Sequence, residues 1–470
     1  MSEAAASDSL TEGRLRPTVF RLALPVLAEQ FLSYLVAMVD TYLSGQLGEL
    51  ATVATNAVGL AGYVSWLGGL MFGLVGIGTT AIVARSWGAG RRSQANRVAN
   101  QSLTLAALLG VLFLGFMLPA APAFAAMLKM EGPAAEIAVR YLRVDAVGLV
   151  FTSVTLAAAA ALRGAGDMRT PMFVLGLVNV VNAICSVALT FGVGPWPALG
   201  LHARLVEPLG VDGIVLGTLV ARTVGGVVML AALANGAGGL RLRRLQLRPK
   251  LRVARRILAV GVPAAADGLV MWTGHFLFLM VISNLAMGRA GETAFAAHVV
   301  GIRVEAVTYL PAVAWGAAAA TLVGQSLGAG RPDRAKAVGH EAARQCLTVG
   351  VLMTALLFLG AGPIFAAMHE EPAVRAAGVP ALRLLACFQV PLVLSIVYVH
   401  ALRGAGDTRW PLLMTILGVI GVRVPASYLC GIVLDGGLVG AWVGMCADIL
   451  LRSVLAVTRF AHGGWAATQV

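Results

Sequence analysis

Asp, Glu, Lys and Arg make up only 12% of this 470-residue sequence. Several of them lie inside long apolar stretches. A charge in a membrane is costly unless it is paired, so each is a candidate for binding or releasing a cation or proton. Asp40 closes the apolar run Phe31–Val39, a position that by itself suits an interfacial carboxylate facing headgroups. In the second half Asp267, His275, His298, Arg303 and Glu305 are similarly placed. His298 and Glu305 are seven residues apart and share one helical face, with Tyr309 a turn further. Asp267, His275, His298, Glu305 and Tyr309 together form a candidate substrate or proton site. Arg303 is two residues from Glu305, so those side chains cannot meet on one helix. Glu305 is open to two readings, a second cation or proton site or half of a buried structural ion pair. Asp448 and Arg452, spaced i, i+4, can satisfy each other. Arg163 with Asp167, and Arg403 with Asp407, recur in identical turns, which favours a scaffold role. Asp145 and Arg222 have no role legible at this level.

Other chemistry fails on inspection. Gly324-Gln-Ser-Leu-Gly328 fits the Gly-x-Ser-x-Gly pattern of hydrolase elbows, but it ends an apolar stretch where that elbow needs a strand-to-helix turn. Its counterpart at 84–88 lacks the first glycine, and the shared Ser-x-Gly-Ala-Gly reads as a helix terminus and turn. The glycine-rich run Gly68–Gly78 lacks the Lys-Ser/Thr of a phosphate loop and reads as close helix packing. The five cysteines (Cys185, Cys346, Cys387, Cys430, Cys446) fall in apolar stretches, without metal spacing or a disulfide framework. No enzyme activity, resident metal or cofactor is expected.

These residues need elements to carry them, and 59% of the sequence is hydrophobic. About 20 apolar residues cross a bilayer as a helix. Twelve stretches qualify, near 17–44, 52–84, 100–127, 134–162, 171–194, 211–235, 255–287, 292–326, 343–368, 376–402, 410–434 and 436–460. The turn Ala161-Leu-Arg-Gly-Ala-Gly-Asp167 returns as Ala401–Asp407, and Ser86-Trp-Gly-Ala-Gly-Arg91 returns as Ser326-Leu-Gly-Ala-Gly-Arg331, both at an offset of 240. Two motifs at one offset mean two copies of a membrane module, the usual architecture of secondary transporters. Each copy has an even number of spans, so the halves are parallel repeats about an axis along the membrane normal. The expected fold is an all-α integral membrane protein, with twelve transmembrane helices in two six-helix lobes related by pseudo-two-fold symmetry. The expected divisions are a tail at 1–16, an N-lobe at 17–235, a basic linker at 236–254, a C-lobe at 255–460 and a tail at 461–470. Pro25 and Pro263 occupy similar places in the first helix of each half and predict bends there.

The net charge of +13 gathers in alternate loops, richest between Arg241 and Arg256. By the positive-inside rule this places both termini and all basic loops in the cytoplasm of a cell or inner membrane. Contact with lipid headgroups explains that charge better than nucleic acid does. Met1–Arg16 is short, polar and followed by a full-length span, unlike a cleavable signal.

With its motifs in order and duplicated, the sequence resembles the multidrug and toxic compound extrusion (MATE) transporters over roughly residues 17–460. The resemblance rests on Leu24-Pro25 through Val39-Asp40-Thr41, the two duplicated turns, and Ala296-Ala-His298. It also rests on Arg303-x-Glu305, Leu322-Val-Gly-Gln325 and Arg423-x-Pro425. It implies export of amphipathic organic cations in exchange for protons or sodium ions, by rocking between outward- and inward-open states. Asp40 matches the family's coupling acid, with Asn182 and Thr218 matching neutral partners. Ser186 stands where some members carry a carboxylate, and the second-half acids of sodium-coupled relatives fall near Met271 and Leu392. A sodium ion needs several oxygen ligands and favours negative charge, so protons are the expected coupling ion, with sodium possible at Asp40. Protonation of Asp40 would remove the anion that attracts a cationic drug, so the two would compete. Tyr34, Tyr63, Trp66, Trp272, Phe276 and Trp315 are candidate walls of an adaptable apolar cavity. A monomer suffices, since the halves are duplicated. The rival reading is a flippase for a lipid-linked sugar or amphipathic lipid. A cavity for anionic headgroups calls for several basic residues, and the intramembrane ones are few, Arg222, Arg303 and Arg423 being the candidates. A channel would need a filter motif that the sequence lacks.

Overall fold

A computed structural model describes residues 13–127, 130–194, 205–285 and 289–468. Among these residues the fold is helical throughout, with one isolated antiparallel bridge, Val193 to Val206. Lipid leaves no water to satisfy the backbone, so long apolar segments must close their hydrogen bonds within a helix. The helices are α1 (Leu15–Gly45), α2 (Ala51–Gly88), α3 (Arg92–Met127), α4 (Gly132–Ala165), α5 (Arg169–Phe191) and α6 (Val211–Ala234). The second half repeats the series as α7 (Leu251–Ser283), α8 (Arg289–Thr308), α9 (Leu310–Gly328) and α10 (Pro332–Met368). It ends with α11 (Pro372–Cys387), α12 (Gln389–Gly404), α13 (Arg409–Val433) and α14 (Gly437–His462). Among the described residues eleven spans are long and apolar enough to cross a membrane, with α8 and α9 sharing one of them. The bent pair α11–α12 supplies a twelfth, so the fold is that of a multi-pass membrane protein.

Proline explains where the second half departs from the first. Pro391 has no N–H to offer the carbonyl four residues back, and the α11–α12 span bends by 53° at that point. Pro311 does the same at the junction of α8 and α9. Pro425 follows a π-helical stretch, Ile416–Arg423, in which the hydrogen bonds of α13 slip by one residue. The matching helices α2 and α4 of the first half run unbroken. At the other extreme, α3 and α10 start at Arg92 and Pro332, well before the apolar stretches at 100 and 343. Polar residues continue these helices because they have partners of their own.

The duplicated turns show how one sequence is used twice. Gly166 and Gly406, both with positive φ, end α4 and α12, and the amides of Asp167 and Asp407 return to Leu162 and Leu402 at 2.9 Å. The Asp167 carboxylate then accepts from the Arg169 and Thr170 amides at 3.0 Å and starts α5. Its twin Asp407 instead accepts from Arg459 at 2.8 Å.

The chain divides into two compact units. One holds Ala28–Val83 and Arg91–Leu258; the other holds Ala84–Gly90, Ala259–Val470 and the described part of Met1–Leu27. The divisions fall inside α1, α2 and α7, and residues 236–258 belong with the first set. Within that unit the basic segment is gripped by α3. Asn96 accepts the Arg241 amide at 2.6 Å, and Asn100 accepts the Arg243 amide at 2.8 Å. Asn100 donates back to the Arg241 carbonyl at 2.9 Å, while Gln101 accepts from the Lys250 amide at 2.7 Å. Thr104 donates to the Leu247 carbonyl at 2.7 Å. The core of this unit is aliphatic and aromatic, with Phe72 and Phe113 edge to face at 5.8 Å. In the other unit Trp442 and Phe365 anchor the core, and Gly301 leaves room for the Trp442 ring.

The two Ser-x-Gly-Ala-Gly segments meet in that second unit. A Cβ on Gly88 would lie 1.9 Å from the Gln325 carbonyl oxygen, and one on Gly328 would lie 2.1 Å from that of Arg85. The contact is reciprocal, because Arg85 and Gln325, like Gly88 and Gly328, are 240 residues apart. Ser326 is buried at this crossing, where it has the surroundings of a packing residue.

Candidate functional site

Within the first unit, four polar side chains meet in an apolar setting. Along α5, Asn179, Asn182, Ser186 and Thr190 recur at three- and four-residue steps and so form one polar stripe. The neighbouring α6 can approach because of Gly213 and Gly217, a small-xxx-small pair. A Cβ on Gly217 would lie 2.5 Å from the Ser186 backbone nitrogen, and one on Gly213 would lie 2.5 Å from that of Thr190. This contact carries the next residue, Thr218, onto Asn182: the Asn182 amide donates to Thr218 Oγ1 at 2.9 Å. Thr218 in turn donates to Asp40 Oδ2 at 3.3 Å, which brings in α1. Ser186 stands 3.4 Å from Asn182 and donates to the Ile214 carbonyl at 3.4 Å.

The arrangement leaves acceptors in reserve. Asp40, Asn182, Ser186 and Thr218 are all buried, yet Asp40 Oδ1 and Asn182 Oδ1 have no hydrogen-bond partner among the described residues. Buried acceptors without donors are expensive, and they are what a cation or a proton needs. One turn along α6 from Thr218, Arg222 donates to Asp145 Oδ1 at 2.7 Å, and Ser65 donates to Asp145 Oδ2 at 3.0 Å. This engaged pair gives Asp145 and Arg222 the roles that sequence alone did not, and of these two neighbouring carboxylates it leaves Asp40 with the free oxygen.

The corresponding region of the second unit is built differently. The same interhelical geometry recurs: a Cβ on Gly444 of α14 would meet Ser427 as one on Gly217 meets Ser186, and Gly440 meets Cys430 as Gly213 meets Leu189. The offset from α5 to α13 is therefore 241, and Asn182 corresponds to Arg423. Arg423 donates to Asp448 Oδ2 at 2.6 Å, and Arg452 donates to Asp448 Oδ1 at 2.6 Å. The expected Asp448–Arg452 pair is thus a triad, admitted by Gly418, whose Cβ would lie 2.2 Å from Asp448 Oδ1. Met271 takes a 3.6 Å contact from Arg452.

The other second-half candidates separate into groups. His298 is buried, accepts from the Trp442 indole at 3.3 Å, and lies 6.4 Å from His275 between ring centres. Asp267, about 12 Å from His275 by helical rise, instead pairs with Arg403. Glu305 is half-buried, with no ion pair among those formed by the described residues. Tyr309 is 38% exposed at the α8–α9 break.

The aromatic candidates divide as well. Tyr63, Trp66, Trp272 and Phe276 are exposed, with Trp272 and Phe276 stacked at 6.0 Å, and Tyr34 is half-buried. Trp315 is not a wall residue. It is buried against Phe20 and donates to Gln345 at 2.9 Å, because it faces the packed start of α1.

Glu29 escaped sequence reasoning. It is buried and pairs with Arg163 at 2.5 Å. Its signal was present, since Glu29 stands to Pro25 as Asp267 stands to Pro263, and Arg163 and Arg403 are repeat partners. The two buried pairs are one device used twice.

Comparison with known proteins places this geometry in context. The model of the MatE family matches residues 25–188 and 271–429, one stretch in each half. The chain is 30% identical over 451 residues to a probable multidrug resistance protein NorM of Thermotoga maritima, covering 96% of this chain and 93% of that one. It is 23% identical to the uncharacterized transporter YisQ of Bacillus subtilis, covering 95% and 94%. Its fold matches a crystal structure of MATE in the bent conformation with a TM-score of 0.86 at 22% identity, covering 98% and 99% of the two chains. A MOP superfamily transporter from Pyrococcus furiosus, described as having a binding pocket of reverse polarity, also matches at 0.86 with 21% identity, over 98% of each chain. Both halves of the sequence, and the fold as a whole, carry the same signature: the chain belongs to the MatE family of multi-pass membrane transporters.

Proposed function

We propose that this transporter exports amphipathic organic cations, drugs among them, in exchange for protons entering through Asp40. The observation that carries this reading is the buried Asp40 carboxylate, with one oxygen unpartnered beside Asn182, Thr218 and Ser186. A bare buried carboxylate is costly, and either a proton or a cationic substrate relieves that cost. Only one can do so at a time, which makes the two fluxes obligatorily opposed. Protons are favoured over sodium because Asp145, the other carboxylate of the cluster, is already held by Arg222 and Ser65. A sodium ion would then have a single charged ligand, with neutral oxygens from Asn182, Thr218 and Ser186.

Two lobes, 17–235 and 255–460, working by alternating access about the 236–254 linker suit the duplicated sequence. The relatives described as multidrug resistance proteins support the substrate class. The rival lipid flippase loses support in the first unit, where Arg222 is neutralised by Asp145 and offers no basic wall.

The test is efflux of a fluorescent organic cation from proteoliposomes, with proton and sodium gradients imposed separately. An external acid pulse alone should accelerate export. Acceleration by external sodium alone would reassign the ion. No response to either, with correctly inserted protein, would overturn the antiporter reading in favour of lipid transport.

A further inference from the structure

A cleft of about 440 Å³ opens at the start of α3 and α7, and four arginines line it: Arg91, Arg97, Arg252 and Arg256. No acidic residue takes part. Arg91, Arg97 and Arg252 are exposed and make no ion pair among the described residues. Ser93 and Gln94 add neutral polar groups, and Val98 and Val253 contribute aliphatic surface. Two helix N-termini converge here, since α3 begins at Arg92 and α7 at Leu251. Their aligned dipoles add positive potential to the four guanidiniums. Like charges gathered in one cleft repel each other, and an anion with several oxygens turns that repulsion into charge-assisted hydrogen bonding.

The repeat offers an internal comparison. At the corresponding turn of the second half, Asp333 replaces Ser93 and Ala337 replaces Arg97, while Arg334 donates to the Gly13 carbonyl at 2.8 Å. Setting membrane orientation asks only for basic loops, and both copies have them. Arg97, however, has no basic counterpart in the second copy. We propose that this cleft binds a phosphate group at the cytoplasmic face, supplied either by an anionic lipid headgroup or by a free phosphate compound. Of the four points at which the chain passes between its two units, two, Gly90/Arg91 and Leu258/Ala259, adjoin this cleft. A bound phosphate would therefore tie together, within the first unit, the segments that follow the one and precede the other.

Native mass spectrometry of the full-length protein, titrated with phosphatidylglycerol or phosphatidylcholine, provides the test. Each basic group near an anionic phosphate contributes about fivefold in affinity, so Arg97→Gln with Arg252→Gln should weaken phosphatidylglycerol binding about 25-fold. Arg243→Gln with Arg244→Gln, which removes equal charge outside the cleft, should leave it unchanged. Should the first double variant fold poorly, Arg97→Gln alone should still cost about fivefold. Inorganic pyrophosphate separates the sources: protection of the wild-type protein from thermal unfolding, lost in the double variant, assigns a free phosphate. Protection by phosphatidylglycerol alone assigns a lipid headgroup. Protection by neither, equal binding of the two lipids, or an equal loss in the control variant would overturn the site.

Discussion

Asp40 has a carboxylate oxygen with nothing to accept from, and that is where mutation should be most specific. Asp40→Asn keeps the volume and the Thr218 contact but removes the charge. It should abolish gradient-driven export while leaving the protein inserted and folded, as measured by proteoliposome efflux alongside size-exclusion elution. Wild-type export by this variant would remove Asp40 from the mechanism. Thr218→Val should weaken coupling and spare folding, since it removes one donor at 3.3 Å. Sequence alone marked Asp40 as a candidate, because a carboxylate among apolar residues is anomalous in itself. Asn182, Ser186 and Thr218 became visible only through family resemblance, since neutral polar residues in helices carry no such anomaly. The partners of charged residues were less legible still. Glu29 and Arg163 lie 134 residues apart in sequence, and only the fold sets them at 2.5 Å.

Glycines at helix crossings set the geometry of both units. Gly217→Val would force β-branched bulk into the Ser186 backbone, against which even a Cβ has no room. Overpacking of this kind costs about 1–3 kcal/mol, so Tm should fall and coupling with it. Gly62→Ala, where a Cβ meets nothing within 4 Å, should change neither. The buried pairs of the lead helices make a sharper case. Arg403→Ala leaves Asp267 buried without its partner and should destabilise the protein by about 3–5 kcal/mol. Asp267→Asn with Arg403→Gln should recover much of that loss, as thermal unfolding would register. Periodicity read the spans well, because twenty apolar residues have few alternatives in a bilayer. It missed the break of α11–α12, the α8–α9 junction and the π-helical stretches of α13, all of which follow from prolines whose effect depends on neighbours that fill the gap. It also began α3 and α10 too late, since polar residues lengthen a helix when another segment satisfies them.

At the scale of the molecule, duplication was the most legible feature, because two turns repeat at one offset. The same repeat shows where the halves diverged: Asn182 answers to Arg423, and a cluster of free acceptors in one unit answers to a closed Arg–Asp–Arg triad in the other. Coupling should therefore be lopsided, and Arg423→Gln should lower stability more than it alters the ion dependence of export. A cysteine at position 245, in the basic segment, should react with impermeant maleimide only from the cytoplasmic side. Labelling from outside would invert the topology. The grip of Asn96, Asn100 and Gln101 on that segment has an evolutionary corollary. Apart from the Gln246 side chain, whose Oε1 accepts from Asn96 at 2.8 Å, it reads main-chain amides and carbonyls. The path of residues 241–250 is thereby held while every identity but that of Gln246 is left free to drift, so any other composition that persists there answers to selection from outside the fold.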